Sequence, residues 1–380
     1  MATKLAARDP VFAIQNKLTT VSLQPLQERV LLRARKEGNS SEIGSLAAAG
    51  YAETALRLKK LAGVNGASDG FSARGMLPFK YKGEKFLFQV LSLRGEHGDY
   101  VTLKPHSSAP FPAGIDDLDM TAAKSERLRN LAAADHGMVL FAMPQGDERS
   151  RFIELFLHEC STAEKTVLVL GKEFGGMAKR FPCISLHDVA REKAGEVLGA
   201  ALEHEPDIVV IADVTDVQVF ITAARAAASG KLVVAGLSVN GAHNAFQYLS
   251  GLAQQHVLLP TSVRGIISCR GVSLLCPECK QSYTPPPGEL APLDLTATAG
   301  YFRATGCPLC DQTGYQGRKN LVDVVPFERS MLKELGTGHD REEIMRCLAG
   351  RDYGGILVES ADLLVAGRIS PAEFVTAVLY

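Results

Sequence analysis

GMVLFAMPQGDERSRF, residues 137–152, is the stretch on which the reading of this chain turns. The apolar run Met138–Ala142 predicts a buried strand, Met143-Pro144-Gln145-Gly146 a turn, and a helix is expected from Glu148. Strand, turn and helix in that order is the layout of a phosphate-binding loop. Such a loop reads G-x-x-x-x-G-K-[ST], with glycines so that backbone N–H groups can wrap the phosphates. Aligned on Ser150, this chain reads Met143-Pro144-Gln145-Gly146-Asp147-Glu148-Arg149-Ser150. Met143 and Glu148 stand where the two glycines belong, and Arg149 stands where the lysine belongs. Only Ser150, in place of the magnesium-binding hydroxyl, fits. Gly146, Arg149 and Ser150 are the candidate cofactor contacts of a degenerate loop.

Around that stretch, Thr166–Leu170, Asp207–Ala212 and Lys231–Leu237 are continuous apolar runs that predict buried strands, and Cys183–Leu186 predicts a short one. Helices are expected over Met120–Ala134, His187–His204 and Val217–Ala228. Strands that are apolar throughout and alternate with helices indicate an α/β core, a parallel sheet covered on both faces. Leu249–Cys269 reads as helical and apolar, and two or three helices are expected after Phe327.

On the N-terminal side, residues 1–20 read as a loose lead-in. Leu23, Leu26, Val30 and Leu31 have helical spacing within Leu23–Lys36, and Ser41–Ala49 and Ala52–Leu61 read as further helices. Phe71–Lys104 alternates apolar and polar residues, as an antiparallel sheet does. Pro105–Asp119 reads as a linker. The expected organisation is a lead-in (1–20), a small α+β domain (21–115), the nucleotide-type core (116–275), a cysteine module (276–325) and a helical C-terminal part (326–380).

Composition sets the class. The 380 residues allow two or three domains, and 46% apolar with 22% charged residues is ordinary for a globular protein with a large core. A net charge of −1 supplies no global field for nucleic acid or an anionic membrane, so no nucleic-acid partner is expected. Neither a membrane-spanning run nor a leader is legible, and a cytoplasmic location is expected, with any membrane reached through partners. Of the 8 cysteines, Cys160, Cys183, Cys269 and Cys347 are scattered, which suits a reducing compartment. Cys276-Pro-Glu-Cys279 and Cys307-Pro-Leu-Cys310 are paired C-x-x-C turns. Two such turns present four thiolates to one centre, which suits a structural, tetrahedral Zn²⁺. Four free thiols or a redox pair are the alternatives.

From Cys307 onward, GCPLCDQTGYQGR (Gly306–Arg318) resembles the G-C-x-x-C-x-x-T-G-Y-x-G-R signature of the type II secretion and type IV pilus assembly ATPases. Pro206–Ala245 is similar to that family's Walker B strand, the helix after it and its histidine-box strand. Thr261–Lys280 resembles the segment leading to the first cysteine pair, and Arg57–Val64 and Phe88–Asp99 resemble parts of its smaller N-terminal domain. The resemblance covers roughly residues 50–375. It implies a RecA-like core, bound ATP and Mg²⁺, hexameric rings and an inner-membrane platform as partner.

Carried over position by position, the resemblance places the loop lysine on Arg149 and the hydroxyl on Ser150. The acidic box falls near Gly171-Lys172-Glu173, the Walker B Gly-Glu on Ala212-Asp213, the box histidine on Ser238 and the arginine finger on Gln89. A phosphoryl-transfer site works by holding phosphates with cations and N–H groups and by orienting water with a carboxylate. Glu148 and Asp147 oppose this. Two like charges 4 Å apart repel by about 4 kcal/mol at an effective dielectric of about 20. Arg149 is expected to turn to Glu148, Asp147 or Glu154. Asp213 is one methylene short of Glu, and a misplacement of about 1 Å can cost roughly a hundredfold in rate. The blander readings make Asp213 a cap of the following turn, Ser150 a solvated helix residue, and Arg149 and Arg151 a surface charge pair. The expectation is a degenerate family member, a pseudo-ATPase that scaffolds or regulates a secretion or pilus machine, alone or in a mixed ring with an active paralogue. The alternative is a diverged, working ATPase. The acidic, glycine-poor loop weighs against ATP and Mg²⁺ as cofactors and leaves nucleotide binding without turnover open.

Overall fold

The computed structural model describes residues 10–14, 18, 20–36, 39–63, 72–81, 84–105, 114–171, 177, 180–184, 193–253, 262–285, 300–310, 312–327, 331, 344, 348, 353 and 355–379. The chain divides into two compact units, Met1–Pro110 and Phe111–Tyr380.

The first unit is built on a six-stranded antiparallel sheet. Strands β1 (Thr20–Pro25), β2 (Arg29–Lys36), β3 (Asn39–Ala47), β4 (Ser72–Tyr81), β5 (Glu84–Gly95) and β6 (Gly98–Pro105) run in the order β3-β2-β1-β6-β5-β4. Helix α1 (Tyr51–Leu61) buries Tyr51, Ala55 and Leu58 with Leu23, Val30, Phe88, Val90 and Leu103. Two sequence expectations fail here. Leu23–Lys36 is a hairpin, β1 paired with β2 from Thr20↔Arg35 to Pro25↔Val30, and not a helix. The backbone N–H of Leu26 donates to Arg29 O (2.8 Å) and closes the turn that the helical spacing spanned. Most of Ser41–Ala49 is β3, an edge strand whose Ser, Gly and Ala residues show no period. The lead-in is also packed in part, since Ala13 and Leu18 are buried in this unit's core.

The second unit is built on a seven-stranded sheet in the order β15-β12-β7-β11-β10-β8-β9. Its strands are β7 (Gly137–Ala142), β8 (Val167–Leu170), β9 (Cys183–Ile184), β10 (Ile208–Ile211), β11 (Leu232–Leu237), β12 (Val263–Leu275) and β15 (Tyr315–Pro326). The continuous apolar runs arise because both faces are covered. Met138, Leu140, Val209 and Val233 join one cluster with helices α4 (Ala194–Leu202), α5 (Val217–Ala228) and α6 (Gly241–Ala253). Val139, Phe141, Val210 and Val234 join another with α2 (Ala122–Ala132) and α3 (Asp147–Cys160). At roughly 1.5–3 kcal/mol for each large apolar side chain removed from water, these two layers are the main source of this unit's stability.

Three expectations are corrected in this unit. The sheet is mixed: β7–β12 are parallel neighbours, but β15 runs antiparallel to β12. Leu249–Cys269 is not one helix, because α6 ends at Ala253 and Val263 starts β12. β12 lies between β7 and β15, and a strand buried on both faces has the same continuous apolarity as a buried helix. Finally, the strand Tyr315–Pro326, expected within a separate cysteine module, belongs to the core sheet. Of the expected helix His187–His204, residues 187–192 lie outside the described residues, as do residues 185–186 of the expected strand Cys183–Leu186. The short strands β13 (Gln281–Tyr283) and β14 (Tyr301–Arg303) pair with each other. Helices α7 (Gly355–Val365) and α8 (Pro371–Leu379) pack Ile356, Leu363, Leu364, Phe374 and Ala377 against Val272, Tyr301 and Leu321.

Candidate functional site

Three parallel strands lie side by side in the order β7-β11-β10, and the chain leaves each at its C-terminal end. That edge is where open α/β sheets place ligands. Met143 follows β7, Ser238 follows β11, and Asp213 follows β10 by two residues. The loop after β7 then enters α3, whose N-cap is Gly146 with extended backbone and no side-chain cap.

Arg149, in the first turn of α3, does not face solvent. Its side chain is 1% exposed and reaches back to the strand ends. Nη1 donates to Met143 O (3.2 Å) and Ser238 Oγ (3.0 Å), and both Nη1 and Nη2 lie 3.3 Å from Asp213 Oδ2. Ser238 Oγ in turn donates to Asp213 Oδ2. Asp213 uses its other oxygen, Oδ1, to accept from Thr215 N (2.8 Å). Thr215 Oγ1 accepts from Ser238 N (3.1 Å), and Thr215 O accepts from the Tyr248 hydroxyl (3.0 Å). Burial first, then the carboxylates Asp216 and Asp213, push the Tyr248 hydroxyl up to about 12, so it remains a donor at neutral pH. Charge-assisted hydrogen bonds in a buried setting are the stronger kind. Arg149, Asp213 and Ser238, which the family resemblance sets at the lysine, Walker B and histidine-box positions, therefore close on one another.

The sequence expectation for Arg149 is corrected in one respect: it is buried rather than a surface charge, and its guanidinium meets Asp213 across the strand ends. Glu148 pairs with Arg318 (3.6 Å) across the start of α3. Ser150 is buried and donates its hydroxyl to Gly146 O (3.2 Å), a bond within its own helix rather than a solvated side chain. Asp213 does cap the turn that follows it. Lys172 and Glu173 of the expected acidic box lie outside the described residues, while Gly171 follows β8 directly, its N–H donating to Ile184 O (2.9 Å). Gln89 lies on β5 of the first unit, half-buried. Thr215, Gly236 and Tyr248 belong to the cluster and were not singled out from sequence; the only signal was a hydroxyl two residues after the candidate carboxylate.

The four cysteines come together. Their sulfurs all lie within 4.8 Å of one another, with Cys276–Cys307 at 3.9 Å, Cys279–Cys310 at 3.8 Å and Cys307–Cys310 at 3.6 Å. Four thiolates about 2.3 Å from a tetrahedral ion would stand about 3.8 Å apart. The donor set and spacing thus fit a closed four-sulfur metal site. Burial opposes ionisation of Cys310, but the N–H groups of Cys307 and Gly314, each 3.2 Å from its sulfur, outweigh it and bring the thiol down to about 6. The knuckle is tied to the core unit by Cys276 N donating to Gly314 O (2.9 Å).

Among the described residues, no helix is long and apolar enough to cross a membrane. The profile of the family described as "Type II/IV secretion system protein" matches residues 12–371. The chain is 23% identical over 363 residues to the type II secretion system protein E of Dickeya dadantii, covering 96% of this chain and 73% of that protein. It is 24% identical over 341 residues to the type II secretion system ATPase E of Vibrio cholerae, covering 88% and 66%. It thus spans about two thirds to three quarters of the length of these relatives. The fold resembles the X-ray structure of the Legionella pneumophila ATPase DotB (TM-score 0.62, 14% identity, 97% of this chain and 94% of that chain). It also resembles the pilus retraction motor PilT with bound ADP (TM-score 0.58, 14% identity, 98% and 96%).

Proposed function

The chain belongs to the type II/IV secretion system protein family, and we propose that it is a non-hydrolysing member, a structural or regulatory subunit of a type II secretion or type IV pilus machine. The observation that carries this reading is the inward Arg149. A phosphate loop needs a cation and free N–H groups aimed at the phosphates. Here the cation at that position is bound to Asp213, Ser238 and Met143 O, and its neighbour Glu148 faces Arg318. Releasing Arg149 would cost those contacts and leave Asp213 with one partner fewer. Binding Mg-ATP would have to offset that cost beside an acidic first turn.

In this role the protein joins a ring, either of its own copies or with an active paralogue, and meets an inner-membrane platform protein. Zn²⁺ is the metal proposed for Cys276, Cys279, Cys307 and Cys310, as a structural clamp with no open ligand position. The partial exposure of Asp213 (28%) favours a second reading, a diverged ATPase in which Asp213 takes the carboxylate role once Arg149 swings out.

Two measurements separate the readings. Malachite-green phosphate release is expected to stay at the buffer blank for the purified, zinc-loaded protein. Turnover that disappears in Asp213→Ala would establish the ATPase reading instead. Calorimetry with Mg-ATP is expected to show no heat of binding at millimolar nucleotide.

A further inference from the structure

The net charge of −1 hides a division between the two units. Residues 1–110 carry 16 lysines and arginines against 9 aspartates and glutamates, a net of +7. Residues 111–380 carry 25 against 33, a net of −8. An attraction that the whole chain does not exert can therefore be exerted by its first unit.

A large part of that excess lies on one face of the six-stranded sheet. Side chains alternate across a strand. Val30 and Ala34 of β2, Leu77 of β4, Phe88 of β5 and Leu103 of β6 enter the core with α1. Arg29, Arg33 and Arg35 of β2, Lys80 of β4 and Lys104 of β6 therefore fall on the opposite face, and all five are exposed. Among the described residues, the one carboxylate on the strands of that face is Glu42, opposite Arg33 on the edge strand β3. Between the cations the face is apolar. Leu93 is 53% exposed, Met76 and Tyr100 are 37% exposed, and Leu93 and Tyr100 are cross-strand neighbours. None of these three belongs to the core cluster beneath α1. Exposed apolar area gathered in one place and rimmed by charge marks an interaction surface.

We propose that this sheet face rests on an anionic lipid bilayer, with its arginines and lysines among the headgroups and Leu93, Tyr100 and Met76 at the boundary with the acyl chains. The charge calls for a negative partner, and the layout selects the bilayer. The cations stand on β2, β6 and β4, and each of these strands is separated from the next by one other strand. Neighbouring strands are about 4.8 Å apart, so the cationic strands lie about 10 Å apart in turn, with apolar side chains between them. An acidic strand or helix of a protein would meet one such row. A bilayer surface meets all three at once and offers apolar depth between its charges. The inference does not depend on whether the strand-end site hydrolyses ATP.

The test is flotation of the full chain with unilamellar vesicles. Phosphatidylcholine vesicles containing about one third phosphatidylglycerol are expected to carry the protein, and pure phosphatidylcholine vesicles are not. At about 0.5 M salt, where the Debye length shrinks to roughly 4 Å, the affinity is expected to fall at least about tenfold. Arg33→Glu combined with Lys104→Glu is expected to lower it at least about tenfold. Lys60→Glu combined with Arg94→Glu, on α1 and on the α1 side of β5, changes the net charge equally and is expected to keep the affinity within about threefold. Leu93→Ser, which leaves every charge in place, is expected to weaken binding at least about threefold. If the parent does not float with the anionic vesicles, or if the two charge-reversal pairs weaken binding alike, the proposal is overturned. Salt-sensitive self-association that is lost in Arg33→Glu with Lys104→Glu, without vesicle binding, also overturns it, because the face is then covered by another copy.

Discussion

Arg149 occupies the space that a side chain on Gly236 would need. A Cβ built on Gly236 would lie 2.9 Å from Cζ and Nε of Arg149, and closer still to the carbonyl oxygen of Ala212. Gly236 sits in β11 between β7 and β10, so neither the backbone nor the guanidinium can yield cheaply. Glycine at this position is therefore what lets the arginine fold inward. Gly236→Ala is expected to lower stability by about 2 kcal/mol, within the ~1–3 kcal/mol typical of overpacking. Urea unfolding of the core would register it as a lower midpoint at unchanged slope. An unchanged midpoint would mean that neither the Ala212 carbonyl nor Arg149 stands where the Cβ would reach it.

The Arg149–Asp213 pair is expected to be coupled. Breaking a fully buried pair from one side costs roughly 3–5 kcal/mol, but Asp213 keeps 28% of its side-chain exposure and the cost shrinks accordingly. In a cycle of Arg149→Met, Asp213→Asn and the double variant, an interaction energy of about 1–2 kcal/mol is expected. Strictly additive losses would show that the contact is geometric only.

How far this cluster was legible is a matter of distance along the chain. Arg149 and Asp213 are 64 residues apart. Sequence reasoning offered Arg149 the acids beside it, because helical spacing is visible in a string of letters and strand order is not. What joins the two residues is the sheet order β7-β11-β10, which brings chain exits together that no local pattern marks. The cysteines were the opposite case. Their spacing is itself the geometric constraint, so Cys276, Cys279, Cys307 and Cys310 could be grouped before any fold was known.

The fold was readable where burial is two-sided and bounded. Ile208–Ile211 and Leu232–Leu237 are short, wholly apolar and flanked by turn residues, and both are strands. Val263–Leu275 was missed because its 13 residues interrupt the apolar positions with Arg264, Ser268, Arg270 and Ser273 and lack clear bounds. In Leu23–Lys36 the spacing of Leu23, Leu26, Val30 and Leu31 mimics a helical stripe, yet Leu26 sits in the hairpin turn and Pro25 ends the strand before it. Glu148–Arg318 and Lys124–Glu359 join elements far apart in the chain and left no local signal.

The four-cysteine site is expected to hold one divalent ion per chain. Cobalt substitution would report it through intense sulfur-to-metal absorption, and zinc release by a mercurial would titrate four thiolates. Removing the ion, or Cys310→Ser, is expected to lower the melting temperature of the knuckle while the seven-stranded sheet stays folded, since β12 and β15 are held by their own register. Metal-free protein with the full melting temperature would leave the cysteines as plain thiols.

Asp323 gives the last prediction. Burial, only partly opposed by the charge of Lys124 and the N–H of Ile356, raises its carboxyl from 3.8 to about 6. A carboxyl whose folded pKa lies above its unfolded value binds its proton more tightly when folded. Its contribution to stability is complete below about pH 4 and is lost as pH rises through about 6. Asp323→Asn keeps an oxygen for Ile356 N and cannot ionise, so it imitates the protonated side chain at every pH. Relative to that variant, the parent is expected to lose about 2–3 kcal/mol between pH 4 and pH 7.5, following the ~1.4 kcal/mol carried by each pKa unit. Asp119, held low chiefly by its hydrogen bond and ion pair with Lys319, runs the other way, with stability lost as pH falls, but it is common to both proteins and cancels in the difference. Urea midpoints at the two pH values measure this, and parallel curves for parent and variant would show that Asp323 titrates as an ordinary carboxylate.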